Sequence, residues 1–225
     1  MFSDMHLFRR QAVSLLTLLL SFSTCVKAYR RVACQAPTRD PLEGCPKNTV
    51  LVGAHEKFSS VQAAVLSIPH NAMPYTILIL PGVYTEQVNV TRQGPLTLLG
   101  QTSHPNDASR NEVSIVWNNA TGTPETGDYD NAYTSTLTIA PTLNASFTGS
   151  GPSGNSVPPG APFGNKNMRT YNLNFINAYR PYSAGPSLAL SMSYANAGFY
   201  YTQFLSYQDT VRTSTHTTCA KLSIL

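Results

Sequence analysis

Short apolar runs bounded by turn-forming residues dominate the chain from residue 49 to residue 192. Each run has the length and the residue types typical of a β-strand. The runs are 49–52, 75–80, 87–90, 96–99, 113–117, 135–139, 169–176 and 187–192, and an aromatic, strand-like stretch at 198–210 follows them. Few helical segments separate the runs, which disfavours alternating β-α-β winding. Their spacing is uneven and shows no clean repeat, so the pattern alone leaves a β-sandwich and a parallel β-helix open.

One segment, 59–68, has the periodicity of a helix instead. Its apolar positions recur at the spacing of one helical face. These positions are Val61, Ala64, Val65 and Ile68. Ser59 and Gln62 fit an N-terminal capping box, and Pro69 ends the helix. We expect this helix to bury its apolar stripe against the open end of the β-structure, as an N-terminal cap.

The segment 141–166 is rich in glycine, proline and serine and has too few apolar residues for a core of its own. Strand-like runs flank it, so we predict a mobile coil insertion and not a linker between domains. In a β-helix, inward-facing Asn172, Asn174 and Asn177 would suit ladders of polar side chains at the bends.

Residues 1–28 have the order of features of a secretory signal peptide. Two arginines precede an apolar run at 12–22, and small residues at 26–28 suit cleavage. The apolar run is short for a membrane span, which makes a signal anchor the weaker alternative. Three N-x-[ST] triplets begin at Asn89, Asn119 and Asn144. We expect a secreted, extracellular glycoprotein without stable membrane association, in which 29–48 form an N-terminal extension.

Net charge and cysteine content limit the ligands, disulfides and metal sites that the chain can have. The formal net charge of +4 lies partly in the leader, so it gives no electrostatic case for nucleic acid, but it is compatible with a polyanionic carbohydrate. Cys34 and Cys45 are expected to form a disulfide, which leaves Cys219 unpaired. No Cys/His cluster is visible and the five histidines are scattered, so we predict no metal site.

The dipeptide Gln208-Asp209 follows the aromatic stretch, and Asp209 is the only acidic residue after Asp130. A bend at a strand end can bring neighbouring side chains together. An amide could then stabilise a developing oxyanion while the carboxylic acid supplies a proton. The alternative is that Asp209 forms an Asx turn with no chemical role.

Five segments, taken in order, resemble the landmarks of the pectinesterases (pectin methylesterases), especially the fungal ones. They are 58–65, 79–88, 98–100, 172–177 and the stretch from Ala189-Leu190 to Tyr207-Gln208-Asp209-Thr210. The resemblance covers roughly 50–211. It implies a right-handed parallel β-helix over 49–211, incomplete at its C-terminal end, and it decides between the two folds left open above.

The resemblance also implies an activity, the hydrolysis of methyl esters on the polygalacturonate of pectin without a cofactor, by a monomer. It assigns Gln208 to the anion hole and Asp209 to protonation of the leaving methoxide. An acid in that role needs burial or a neighbouring carboxylate to raise its pKa. Glu86 matches a further landmark of the family, and we interpret it as structural.

The chain departs from the pectinesterase pattern in two places. Residues 185–190 contain no counterpart of the second anion-hole glutamine, and 212–225 resemble nothing in the family. No acidic residue follows Asp209, so the nucleophile is missing from its expected place. We therefore expect a truncated, inactive form.

Two alternatives to the hypothesis of a truncated pectinesterase remain. One is a non-catalytic pectin-binding β-helix that uses Tyr179, Tyr182 and Tyr207. The other is a lyase or polygalacturonase, which is disfavoured because its acidic or basic cluster is not visible in the sequence.

Overall fold

The structure is a computed structural model of the full chain. It describes residues 30–122, 130–146, 162–180 and 185–213. The predictions made for the leader, for most of the insertion, for Tyr182 and for Cys219 lie outside these residues. Within them, no helix is both long and apolar enough to cross a membrane.

Strands of the described chain form three parallel sheets. Sheet A contains β1 (Thr49–Val52), β2 (Tyr75–Ile79), β5 (Leu96–Gly100), β8 (Met168–Tyr171) and β11 (Ala197–Tyr200). Sheet B contains β3 (Gly82–Thr85), β6 (Val113–Trp117), β9 (Asn174–Asn177) and β12 (Gln203–Leu205). Sheet C contains β4 (Val88–Val90), β7 (Leu137–Ile139), β10 (Leu190–Met192) and β13 (Val211–Thr213). The chain visits the sheets in the repeated order A, B, C, so it winds as a parallel β-helix, and the prediction of that fold is confirmed.

The register explains why no repeat period is visible in the sequence. Leu96 pairs with Met168 and Met168 pairs with Ala197, although the two sequence intervals are very different. The strands keep strict pairing while the connections between them vary in length. The insertion at 141–166 is one such connection, between β7 and β8.

Three predicted boundaries need correction. The run at 169–176 is two strands, β8 and β9, because the chain turns a corner at Asn172, whose φ of 52° lies in the left-handed region. The stretch at 198–210 is likewise divided, with the corresponding corner at Tyr201, whose φ is 51°. The boundary expected at residue 211 falls inside β13, so the parallel ladder continues two residues into the segment assigned to an unrelated tail.

Stacked side chains fill the interior of the β-helix. Phe175 and Phe204 occupy paired positions of β9 and β12 and stack with ring centroids 5.6 Å apart. Phe199 meets Phe204 edge to face at 5.0 Å. Fully burying an aromatic or large aliphatic side chain contributes about 1.5–3 kcal/mol, so these columns stabilise every coil against its neighbour.

The predicted helix is present as α2 (Val61–Ser67), and an earlier short helix, α1 (Arg31–Gln35), precedes β1. Val61 and Ala64 are fully buried against the core. The capping box was assigned one residue too early, because Ser60 is the N-cap and its side chain accepts a hydrogen bond from the amide of Ala63. The helix covers the N-terminal end of the β-helix, as expected.

Glu86, which directly follows β3, completes the N-terminal cap of α2. Its carboxylate accepts hydrogen bonds from the hydroxyl of Ser60 (2.7 Å) and from the amides of Val61 and Gln62 (2.8 Å each). These amides have no partner inside the helix, and a carboxylate also suits the positive end of the helix dipole. The structural role assigned to Glu86 is confirmed.

The side chain of Gln62 closes the free edge of sheet C. Its carbonyl oxygen accepts from the amide of Asn89 at 2.6 Å, and its amide donates to the carbonyl of the same residue at 3.5 Å. Asn89 lies in the edge strand β4, so Gln62 takes the place of a neighbouring strand and blocks pairing there.

The N-terminal extension covers the outer face of sheet A. The predicted disulfide between Cys34 and Cys45 is confirmed, and Cys34 packs against buried Leu78 and Leu99. Gln35 donates to the carbonyl of Gly100 at 2.7 Å, which fixes the extension to the end of β5.

Two of the three bend asparagines, Asn172 and Asn174, bond to polar side chains of the preceding coil in the manner of the predicted ladders, whereas Asn177 bonds to backbone carbonyls. Asn172 donates to the side chain of Asn111 at 3.2 Å. Asn177 donates to the carbonyls of Thr134 (2.8 Å) and Leu188 (3.1 Å). Asn174 donates to the hydroxyl of Ser114 at 3.2 Å.

We predict that Glu86→Gln lowers the free energy of unfolding by about 1–2 kcal/mol, since an amide cannot accept all three cap hydrogen bonds. Urea unfolding of the variant measures this loss. The control is Glu112→Gln, because Glu112 is exposed and should change stability by less than about 0.5 kcal/mol. Equal midpoints for the parent chain and Glu86→Gln would contradict the capping role.

Asn172→Ala should cost about 3 kcal/mol or more, because Asn172 is fully buried, hydrogen-bonded and left-handed. Asn172→Gly keeps the left-handed backbone accessible and should be less destabilising than alanine by about 1 kcal/mol. Thermal or urea unfolding of the pair separates the backbone effect from the side-chain effect. If alanine were tolerated better than glycine, backbone geometry would not be the constraint at this corner.

Candidate active site

Gln208 and Asp209 lie at the corner where the chain passes from β12 in sheet B to β13 in sheet C. The backbone carbonyl of Gln208 accepts from the amide of Ser187 at 3.2 Å and from the hydroxyl of Ser206 at 3.2 Å. Gln208 and Ser187 form an isolated antiparallel bridge. These contacts fix the backbone of Gln208 to the preceding coil.

The bend expected to bring the side chains of Gln208 and Asp209 together is centred on Asp209, whose φ of 54° lies in the left-handed region. Aspartate tolerates this conformation better than most residues. Its carboxylate accepts no hydrogen bond from a described residue, so the Asx turn considered as an alternative does not form within the described chain. The bend therefore breaks the strict alternation of side chains that a continuous strand would impose.

The burial expected of a catalytic acid is not observed. Asp209 is exposed and Gln208 is half-buried. β13 is the last described strand of sheet C, and no described element beyond it covers the carboxyl group. As described, Asp209 is open to solvent, and its environment differs from the buried one that the proton-donor role predicts.

The segment before β10 occupies the place where the second anion-hole glutamine was missing. Ser187 is buried beside Gln208, and its hydroxyl points to the carbonyl of Gln208 at 3.5 Å. Gly185 donates its amide to the carbonyl of Thr121 at 2.7 Å, which anchors this segment to an earlier coil. In the segment where the second anion-hole glutamine was expected, the described chain therefore has Ser187, whose short side chain ends in a hydroxyl group.

An apolar row runs along the outer face of sheet B toward this corner. Val116, Ile176 and Leu205 are paired in successive strands, and their neighbours in each strand face the core. Leu205 is 47% exposed, and Tyr207, two residues further on, is 59% exposed. The half-buried Tyr179 follows β9 as Tyr207 follows β12, so both tyrosines leave the same end of sheet B. Tyr182 lies outside the described residues.

Two cavities are found elsewhere on the described chain, and neither includes Gln208 or Asp209. One, of about 530 Å³, lies beside Gly82, Val83 and Glu86 at the N-terminal end of sheet B. The other, of about 620 Å³, lies where the chain turns from sheet C into sheet A. Sequence reasoning missed the second cavity, because residues distant in sequence form it. The described residues contain no group of three or more side chains suited to hold a metal ion.

Comparison with known proteins gives a consistent result. No family model matches the chain. Pectinesterase A of Emericella nidulans is 28% identical over 166 residues, which are 74% of this chain and 42% of that protein. Probable pectinesterase A of Aspergillus oryzae is 28% identical over the same shares.

Solved structures agree on the fold. The pectin methylesterase of Aspergillus niger superposes with a TM-score of 0.56 at 24% identity and covers 74% of this chain and 46% of that structure. PemA of Erwinia chrysanthemi gives 0.53 at 22% identity, with 74% and 45% covered. The resemblance to the pectinesterases is confirmed, and the chain spans less than half the length of these relatives.

We predict that Asp209→Asn changes the free energy of unfolding by less than about 0.5 kcal/mol, since the carboxylate is exposed and has no hydrogen-bond donor within the described chain. Urea unfolding of both proteins checks this. A loss above 1 kcal/mol would mean that the carboxylate has a structural role that these contacts do not show.

Proposed function

We propose that this chain, as a relative of the pectinesterases, binds methyl-esterified polygalacturonate along the outer face of sheet B. We further propose that, with the present sequence, it does not complete ester hydrolysis. The observation that supports the site is the position of Gln208 and Asp209, at the end of sheet B beside the exposed apolar row. The kinship to carboxylic ester hydrolases supports the substrate class.

Gln208 and Asp209 account for two of the tasks of ester hydrolysis. The amide of Gln208 donates a hydrogen bond to the oxyanion that forms when the carbonyl is attacked. The protonated carboxyl group of Asp209 gives its proton to the departing methoxide, which leaves as methanol.

The attack itself requires a carboxylate nucleophile, and no described residue supplies one at this corner. Asp209 is the only acidic residue after Asp130 in the sequence, and Glu86 is committed to the cap of α2. A single anion-hole donor is worth about 10²–10³ in rate, so Gln208 alone cannot replace the missing groups.

The outer face of sheet B suits the binding of a sugar polymer. The apolar faces of pyranose rings pack on aromatic and aliphatic side chains, and Tyr207 and Leu205 present such surface next to Gln208. Solved structures of a pectin methylesterase similar to this chain are complexes with hexasaccharides, which supports a sugar polymer as the ligand. A net positive charge also favours a polymer that carries free uronate groups.

The second candidate function is pectin binding alone, without a catalytic role for Asp209. The exposure of Asp209 to solvent favours this function. Both candidates predict retention on pectin and place the protein outside the cell, where pectin is found. Only the first predicts that a restored nucleophile would give turnover.

The proposal is tested by incubating the full chain with highly methylated pectin and measuring both released methanol and retention on immobilised pectin. We expect retention, no methanol, and no difference between the parent chain and Asp209→Asn. Turnover of about 1 per second or faster, abolished in Asp209→Asn, would contradict inactivity and establish Asp209 as catalytic. Failure to retain pectin would contradict the binding function.

Tyr207→Ala should weaken pectin retention about tenfold, corresponding to about 1.4 kcal/mol, because it removes the aromatic surface beside Gln208. The matched control is Leu66→Ala, since Leu66 is 71% exposed on α2 at the opposite end of the β-helix. Affinity measured on methylated pectin for both variants decides the point. Equal losses in both would place the binding surface elsewhere.

A further inference from the structure

We propose that the cavity at the turn from sheet C into sheet A binds the carboxylate of an acidic sugar, at a site separate from Gln208 and Asp209. The identity of the sugar as a uronic acid of pectin rests on the proposed function. The cavity has a volume of about 620 Å³. Three chain segments meet there, 69–74 before β2, 91–95 before β5, and the residues that lead into β8.

A buried cation, Arg92, lies between the lining residues Thr91 and Gln93 in the sequence but is not itself among the residues that line the cavity. Arg92 is 3% exposed, and its guanidinium donates to the backbone carbonyls of Pro95 (2.8 Å), Asn71 (2.9 Å) and Met73 (3.1 Å). It also lies over the ring of Tyr75, 5.1 Å from the centroid. No described carboxylate approaches it, and its buried Nε has no hydrogen-bond partner.

This arrangement leaves a positive charge without a counter-ion. Burial lowers the pKa of Arg92, in keeping with a charged form that has little contact with water. Removing an ion from water is unfavourable unless an opposite charge offsets the loss of hydration. An anion in the adjacent cavity would provide that offset.

The wall of the cavity adds to the positive potential. Lys166 and His70 line it and are both exposed, and no acidic residue is among the described residues of its lining. Lys166 makes no ion pair with any described residue. A concave wall that carries one sign of charge concentrates ions of the opposite sign.

The wall chemistry favours a sugar acid over a small inorganic ion. Thr91 and Gln93 are exposed and use neither side chain in a hydrogen bond within the described chain, so a hydroxyl and an amide face the ligand. Pro95 and Pro141 supply apolar surface for the carbon face of a pyranose ring. Cavities of 300–1,000 Å³ hold ligands the size of a small organic molecule or a short oligosaccharide.

Hydrogen bonds and close packing hold the segment 91–95 in place at the wall of the cavity. Buried Asn165 donates to the carbonyls of Arg92 (3.0 Å) and Gly94 (2.7 Å). A Cβ added at Gly94 would lie 2.2 Å from the carbonyl oxygen of Asn71, so this close approach requires glycine. A preformed wall loses less conformational freedom on binding than a mobile one.

The test is a titration of the full chain with a short, fully de-esterified oligogalacturonate, followed by calorimetry and by amide chemical shifts. We expect Lys166→Gln to weaken binding about tenfold or more, and Gln93→Ala to weaken it to a lesser extent. The shifts should change at residues 91–95. Lys47→Gln is the control, since Lys47 is exposed and lies outside the cavity lining. Arg92 is left intact, because its loss would leave several buried carbonyls without donors.

Three outcomes would overturn the proposal. The first is equal affinity for the parent chain and Lys166→Gln. The second is binding of inorganic phosphate with the same affinity and the same dependence on Lys166, which would define a simple anion site. The third is loss of oligogalacturonate binding in Tyr207→Ala but not in Lys166→Gln, which would leave sheet B as the binding surface. Conversely, dependence on Lys166 together with no retention on methylated pectin would support this site and contradict the proposed function.

Discussion

The parallel register between coils is the constraint on which the rest of this structure depends. Each strand pairs residue by residue with its counterpart in the preceding coil, so the stacked pair Phe175–Phe204 and the outward row ending at Leu205 are set by the same alignment. The length and the conformation of the chain vary in the connections and corners between the strands. Gln208 and Asp209 occupy such a corner, where the left-handed backbone of Asp209 breaks the alternation of side chains that the strands keep.

Corners and ends carry most of the buried polar chemistry. Glu86 and Gln62 close the N-terminal end through three backbone amides and one carbonyl, and Arg92 does the same for a group of carbonyls at the turn into sheet A. The two charges differ in one respect. Glu86 faces the positive end of a helix, whereas the partners of Arg92 within the described chain are carbonyl groups and an aromatic ring. An uncompensated charge beside an open cavity is the feature that suggests a second ligand.

Local sequence patterns predicted the parts of the fold that depend on local structure. The period of 59–68 predicted α2, and the short apolar runs predicted most strands, because burial of one face imposes these patterns. The corner at Asn172 was missed, since a left-handed residue between two strands leaves the apolar alternation unbroken. The cavity beside Arg92 was also missed, because residues from three coils build it. The resemblance to pectinesterases placed Gln208 and Asp209, but sequence alone could not show that Asp209 is exposed.

The central claim is that methylated pectin binds on sheet B beside Gln208 and Asp209. The most direct test is to map amide chemical-shift changes on addition of a methyl-esterified galacturonate hexamer to the full chain. The account predicts the largest changes over residues 203–209, with smaller changes along β9. Changes confined to other surfaces, with none over 203–209, would contradict it.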